Sequence, residues 1–226
     1  MSKPSLLSAI ALRLKHGVSL VLHAYADYRI GATKAEKYCY KKTDTILLTF
    51  DDYGTEDEVQ DILHILKRKK VKGMFFLQGD WAKQQPQLVQ MISAAGHIIG
   101  NHTETHRILR GQDVETITSE ITRGPKSVWF RPPQGRYDKN VRIIAHKLGY
   151  AICYWTIDSR DWTGASAEHM RHTILSELHP GAVVLFHLHG TYTRELLPGL
   201  IDDIRDQGYE LTPFSEEWHP PKVLTP

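Results

Sequence analysis

From Thr45 onward the chain is predicted to fold as an α/β domain built on a parallel sheet. Three observations carry that prediction. Short apolar runs alternate with segments of helical period, glycines at 96, 149 and 208 punctuate the helix ends, and ionisable residues gather where the predicted strands stop. Strands are expected near 45–51, 73–78, 98–101, 127–131, 151–157, 182–188 and 209–213. After the first strand, Val59, Ile62, Leu63 and Leu66 recur at i, i+3, i+4 and i+7, the apolar stripe of a helix. Val141, Ile144, Ala145 and Leu148 repeat the pattern behind Asp138, which is placed to cap that helix. Seven strand–helix units fit an incomplete or distorted (β/α) barrel, and a doubly wound open sheet has the same local signature.

The length, 226 residues, suits one catalytic-sized domain. Hydrophobic residues at 41% and charged residues at 24% exclude a disordered, fibrous or multi-span membrane chain. Twenty-eight Lys and Arg against 26 Asp and Glu leave a net charge of +2, too small a bias to point to nucleic acid. Residues 1–44 read as an N-terminal extension, 45–214 as the catalytic domain and 215–226, with His219-Pro220-Pro221-Lys222, as a tail. Lys3, Arg13 and Lys15 precede a short apolar stretch, Gly17 to His23, and then Ala24-Tyr25-Ala26, the order of a secretory signal. Leu7, Ile10, Leu14, Val18 and Val21 also fall at helical spacing, so a retained amphipathic helix is the alternative. The first reading places the protein outside the cytoplasm, with membrane or cell-wall association through the N-terminus; the second leaves it cytoplasmic. Two cysteines, Cys39 and Cys153, are too few for a disulfide framework and lack zinc-finger spacing, so they leave the redox compartment open. Cys153, inside the run Tyr150 to Trp155, is expected to be a small core residue.

In both candidate architectures a site forms at the C-terminal edge of the strands. The predicted edges carry Asp51 and Asp52, then His102 and His106, Arg131, Asp158 and Asp161, and His187 and His189. Adjacent strand side chains point oppositely, so Asp51 and Asp52 cannot share one position: one is free to bind a metal while the other faces the reacting centre. Both could instead cap the acidic helix start at Glu56, Asp57 and Glu58. His102 and His106 stand four apart, one face of a helical turn, and imidazole is the commonest nitrogen donor to zinc. One Asp and two His make a three-ligand set of the catalytic type, which leaves a coordination position for water.

Five motifs then stand in order, each at a predicted strand end: Thr49-Phe50-Asp51-Asp52, His102-Thr103-x-x-His106, Arg131-Pro132-Pro133-Gln134-Gly135, Asp158-Ser159-Arg160-Asp161-Trp162 and Leu185-Phe186-His187. With them the chain from about Thr45 to Phe214 resembles the polysaccharide deacetylases of carbohydrate esterase family 4, the NodB-homology domain. The resemblance implies a distorted (β/α) barrel of about seven parallel strands and a divalent metal, taken to be Zn2+. It also implies removal of acetyl groups from N-acetylglucosamine units of peptidoglycan or a chitin-like glycan; the chain itself is expected to be a monomer. Carried over by position, Asp52, His102 and His106 would be metal ligands and Asp51 the general base that takes a proton from the attacking water. Arg131 would pair with that base, keeping it ionised and oriented. The backbone N–H of Gln134 would stabilise the oxyanion, on a loop stiffened by the prolines. His187 would be the general acid, raised by Asp161, with His189 the poorer candidate. Trp162 and Leu185 would form the acetyl pocket.

Three positions depart from the commonest family pattern: Tyr53 before the glycine, Gln134 in place of an aromatic and Leu188 after the His. Tyr53 and Gln134 fall where sugar would bind, so they bear on substrate identity. His64, His97, His146, His169, His172, His179 and His219 are read as solvated or satisfied surface residues. An O-acetyl esterase acting on acetylated xylan and a catalytically silent glycan-binding module are the competing functions. The second would have lost ligands, and here every metal and proton-transfer position is filled.

Overall fold

A computed structural model describes residues 32–39 and 44–211. The signal-type segment, residues 40–43 and the tail lie outside the described residues. Seven parallel strands form one sheet: β1 Leu47–Asp52, β2 Gly73–Leu77, β3 Ile98–Asn101, β4 Trp129–Phe130, β5 Ala151–Ile152, β6 Ile157–Asp158 and β7 Val183–His187, ordered β5-β4-β3-β2-β1-β7-β6. The helices are α1 Lys34–Lys37, α2 Glu56–Lys69, α3 Gly79–Gln84, α4 Pro86–Ala94, α5 Val114–Arg123, α6 Lys139–Lys147, α7 Ala167–Glu177 and α8 Thr193–Asp206.

The order settles the choice between barrel and open sheet. β5 and β6 sit at opposite edges, yet only residues 153–156 join them. Six strand spacings would separate the edges of a flat sheet by about 29 Å. Five Cα steps reach at most about 18 Å. The sheet therefore curls into a distorted barrel, and among the described residues no ladder pairs β5 with β6 to close it. The expected single strand over 151–157 is thus two short strands on either side of a seam. Of the strand expected at 209–213, the described residues contribute one bridge, Ile46 to Leu211, and residues 212 and 213 lie outside them.

Strand alternation sorts the core. Leu48, Phe50, Phe75, Leu77, Val184 and Phe186 face outward and pack under α2, α4, α7 and α8. Leu47, Met74, Phe76, Trp129, Ala151 and Val183 fill the interior with Cys39 and Cys153. Cys153 is a core residue as expected, and the two cysteines are also disulfide-bonded across 114 residues, a pairing the sequence did not suggest. Nothing in the spacing of two distant cysteines announces a bond; only the curl of the sheet brings the segment before β1 against the end of β5. His97 is also no surface residue: it is 7% exposed and its Nδ1 accepts from the Gly73 N–H at 3.0 Å. Burial, with Lys72 nearby, lowers its pKa to about 4.

Helix starts follow local chemistry. Thr55 and Glu58 form a capping box for α2 and Asp138 caps α6, so Asp51 and Asp52 are not used as caps. Across the three central strands Phe50 stacks on Phe75 at 4.9 Å and Phe186 at 5.8 Å. Phe50→Ala should cost about 3–5 kcal/mol, read as a fall in the urea midpoint with an unchanged slope.

Candidate active site

Residues at the ends of five strands meet at one rim. The carboxylates come first. Asp52, at the end of β1, has φ +76°, a left-handed backbone that breaks strand alternation. Both carboxylates consequently approach one imidazole: His102 Nε2 lies 3.7 Å from Asp51 Oδ2 and 3.4 Å from Asp52 Oδ1. Partners, not opposite faces, distinguish the two. Asp51 Oδ1 accepts from Arg131 Nη1 at 2.7 Å, while Asp52 Oδ1 also faces His106 Nε2 at 3.2 Å.

His102 and His106 meet differently from the helical turn their spacing suggested. Residues 102–106 are a loop, with Thr103 and His106 at φ +68° and +58°. Glu120 of α5 fixes that loop: its Oε2 and Oε1 accept from the Thr105 N–H and hydroxyl at 3.0 and 2.8 Å, and its carbonyl accepts from the Glu104 N–H. A helix here would lose these bonds and pull the rings away from Asp52.

The donor set fits a divalent cation. One ligand atom each from Asp52, His102 and His106 lies within 4.8 Å of the others. His102 Nδ1 is 2.7 Å from the Arg131 carbonyl, which can only accept, so Nδ1 carries a proton and Nε2 is the ring nitrogen turned toward the carboxylates. Burial alone would raise Asp52, but its hydrogen bond and charge contacts with His102, and the charges of His106 and His187, hold it well below the carboxylate range. Burial lowers His102, and Asp51 and Asp52 outweigh it to give a net upward shift. His106 shifts down, by burial and then by His102.

On the other side, His187 ends β7. Its Nδ1 lies 2.7 Å from Asp161 Oδ1 and its Nε2 4.0 Å from Asp52 Oδ2. Asp161 is buried and held by the His187 N–H and the Thr193 hydroxyl, both on Oδ2 at 2.7 Å. Burial would depress the imidazolium, but the bond and charge of Asp161 lift His187 to about 9, with help from Asp51 and Asp52. Gly190 makes this possible: a Cβ there would collide with Asp161 Oδ2 and Thr193 Oγ1.

Leu185 is buried on the same face of β7 as His187, two residues below it. Trp162 is 62% exposed on the short turn Asp161–Thr163, so it is not a core residue. Gln134 is exposed with φ +54°. Tyr53, 47% exposed, stacks on His189 at 4.8 Å; His189 thus leans on the rim aromatic, and His187 is the imidazole turned to the carboxylates. Glu120, Thr193 and Gly190 were not singled out from the sequence, and Thr49, though part of the first motif, was given no role. Thr49 sits two residues before Asp51, where alternation puts it on the same face, and that was the one available signal.

A parallel barrel whose C-terminal rim gathers carboxylates, imidazoles and a metal-type donor set has its ionisable groups where barrel enzymes have theirs. The chain belongs to the polysaccharide deacetylase family, carbohydrate esterase family 4, whose polysaccharide deacetylase model matches residues 40–153. It is 30% identical over 202 residues, 84% of this chain and 74% of the relative, to a peptidoglycan N-acetylmuramic acid deacetylase of Bacillus subtilis. To a peptidoglycan N-acetylglucosamine deacetylase of Listeria monocytogenes it is 32% identical over 186 residues, 78% of this chain but 39% of that protein. Among solved structures, a family 4 carbohydrate esterase from Streptomyces lividans in complex with acetate superposes with a TM-score of 0.70 at 28% identity, covering 76% of this chain and 94% of that one. A family 4 pseudoenzyme from Bacillus anthracis superposes with a TM-score of 0.72 at 29% identity, covering 75% and 63%.

The His187–Asp161 pair sets a pH window. Because the folded pKa is raised, the pair contributes stability that is complete below the ordinary imidazole value of about 6.5 and is lost as pH rises through about 9. Asp161→Asn should therefore bring the His187 titration down to about 6.5 or below. Imidazole NMR of the metal-free protein reads this directly, and an unmoved titration would separate the two groups.

Proposed function

We propose that the chain is a metal-dependent hydrolase that removes N-acetyl groups from N-acetylglucosamine residues of peptidoglycan or a chitin-like glycan. One observation carries the reading: the Asp52, His102 and His106 donor set lies between two differently partnered groups, Asp51 on Arg131 and His187 on Asp161. Asp52, His102 and His106 hold the cation. When bound, a divalent ion polarises the scissile carbonyl and makes water a competent nucleophile near neutral pH.

The chain's own groups do the rest. Asp51, oriented by Arg131, takes a proton from the attacking water. His187, an imidazolium below about 9, gives a proton to the departing nitrogen, so amide and water become amine and acetate. The backbone N–H of Gln134 is assigned to the carbonyl oxygen as it gains charge. Leu185 and Trp162 are assigned to the acetyl methyl and Tyr53 to the sugar. Zinc suits a site of one carboxylate and two imidazoles.

Work at the cell envelope is supported from two sides. The relatives named above are peptidoglycan deacetylases, and a buried disulfide persists in oxidising compartments. Residues 45–214 are assigned as the catalytic domain and 215–226 as a tail. Among the described residues no helix is long and apolar enough to cross a membrane. The likeness to a pseudoenzyme makes turnover the deciding measurement.

Acetate release from N-acetylglucosamine oligomers, peptidoglycan containing N-acetylmuramic acid, and acetylated xylan, with and without a chelator, tests the proposal. Activity on the first two that a chelator abolishes and zinc restores is expected. A fully active metal-free preparation would end the metal assignment, and release from xylan alone would make the protein an ester hydrolase. His102→Ala should lower zinc well below one per chain by elemental analysis. Asp51→Asn should keep its metal and lose about 10²- to 10⁴-fold in kcat.

A further inference from the structure

Arg131 is fully buried, and its guanidinium has four oxygen acceptors. Nη1 donates to Asp51 Oδ1 at 2.7 Å and Thr49 Oγ1 at 2.8 Å; Nε donates to the Cys153 carbonyl at 3.0 Å and Nη2 to the Tyr154 carbonyl at 2.7 Å. Half of its seat is therefore backbone from the seam between β5 and β6.

That backbone is held from outside the barrel ladder. Cys153 is disulfide-bonded to Cys39, and the Tyr154 N–H donates to the Glu36 carbonyl at 2.8 Å. Glu36 is itself anchored: its buried carboxylate accepts from Tyr137 at 3.0 Å, from Arg142 Nε and Nη2 at 2.8 and 2.7 Å, and from the Thr33 N–H at 2.6 Å. Residues 33–39 form a strap fastened at two points, one covalent and one ionic. They lie before the segment matched by the family model, residues 40–153.

We propose that this strap is a positioning element for Arg131, and through it for Asp51. With the disulfide and the Glu36 anchor intact, the peptide carrying both carbonyls cannot shift, and the guanidinium is held in the plane that presents Nη1 to Asp51. Loosening the strap frees the two carbonyls while Thr49 and Asp51 stay in place. Neither Cys39 nor Glu36 bonds a metal donor, so the loss falls on the proton-transfer geometry, where a displacement of about 1 Å costs on the order of 100-fold. The effect on kcat rests on the base role proposed for Asp51; the positioning of Arg131 does not.

The test uses the full chain, zinc-loaded, as a Cys39→Ala/Cys153→Ala variant and separately as Glu36→Gln. Two readouts are taken: kcat and KM on the substrate the parent protein turns over, and solvent exchange of the Arg131 Nε–H in proton–nitrogen NMR. In folded variants zinc should stay near one per chain and KM within about twofold. The fall in kcat should be about 10- to 100-fold, and the Nε–H should exchange at least about tenfold faster. An Nε–H that exchanges as slowly as in the parent, in either variant that folds, overturns the proposal. If the cysteine variant does not fold, Glu36→Gln decides. A parent protein without turnover would defeat the deacetylase reading and leave the exchange measurement to judge the strap.

Discussion

The buried ion pair between Arg131 and Asp51 is the constraint on which the rest of the site depends. Removing one partner of such a pair leaves a desolvated charge and costs about 3–5 kcal/mol, so the fold must satisfy every donor it can. It does so with Thr49, Cys153 and Tyr154, while the ring of Phe76 lies 4.1 Å beneath the guanidinium. The same residue's main chain ties β4 to the metal donors: its N–H bonds the Asn101 carbonyl and its carbonyl receives His102 Nδ1. One residue thus orients the proposed base by its side chain and a proposed metal ligand by its backbone.

Around that pair the rim divides by charge. Asp51 is matched to a cation and His187 to an anion, with Asp52 between them. The proposed proton acceptor and proton donor, sharing one small space, would otherwise neutralise each other, and separate buried counter-charges keep them apart. Backbone strain accompanies this crowding. Asp52, Thr103, His106, Gln134 and Arg160 all hold positive φ, at about 1–3 kcal/mol each. Asp and His tolerate that region better than β-branched residues do; Thr103 is the costly one, and the N–H to Asn101 Oδ1 bond at 2.8 Å helps hold it.

Much of this was legible in the sequence because it is local. The strand edges at Asp52, Asn101 and His187, the α2 and α6 stripes and the Asp138 cap follow from period and capping chemistry, which act within a few residues. What failed depended on distance in the chain. The run 151–157 is apolar but for Thr156, and periodicity could not reveal that it crosses from one edge of the sheet to the other. His102 and His106 have helical spacing, but Glu120, fourteen residues beyond the second, imposes a loop. The roles of Cys39 and Glu36 were invisible because their partners, Cys153 and Arg142, lie more than 100 residues away.

The open seam explains why the strap exists at all. In a closed barrel the backbone of residues 153–156 would spend its N–H and C=O groups on a neighbouring strand. Here β5 and β6 do not pair, and several of those groups turn elsewhere: two carbonyls to Arg131 and the Tyr154 N–H to Glu36. Irregular backbone can aim carbonyls at a guanidinium in a way a ladder cannot, but it gives up the ladder's rigidity. The Cys39–Cys153 bond and the Glu36–Arg142 pair restore rigidity at that one place, so the incomplete closure of the barrel and the placement of its buried arginine are two aspects of one arrangement.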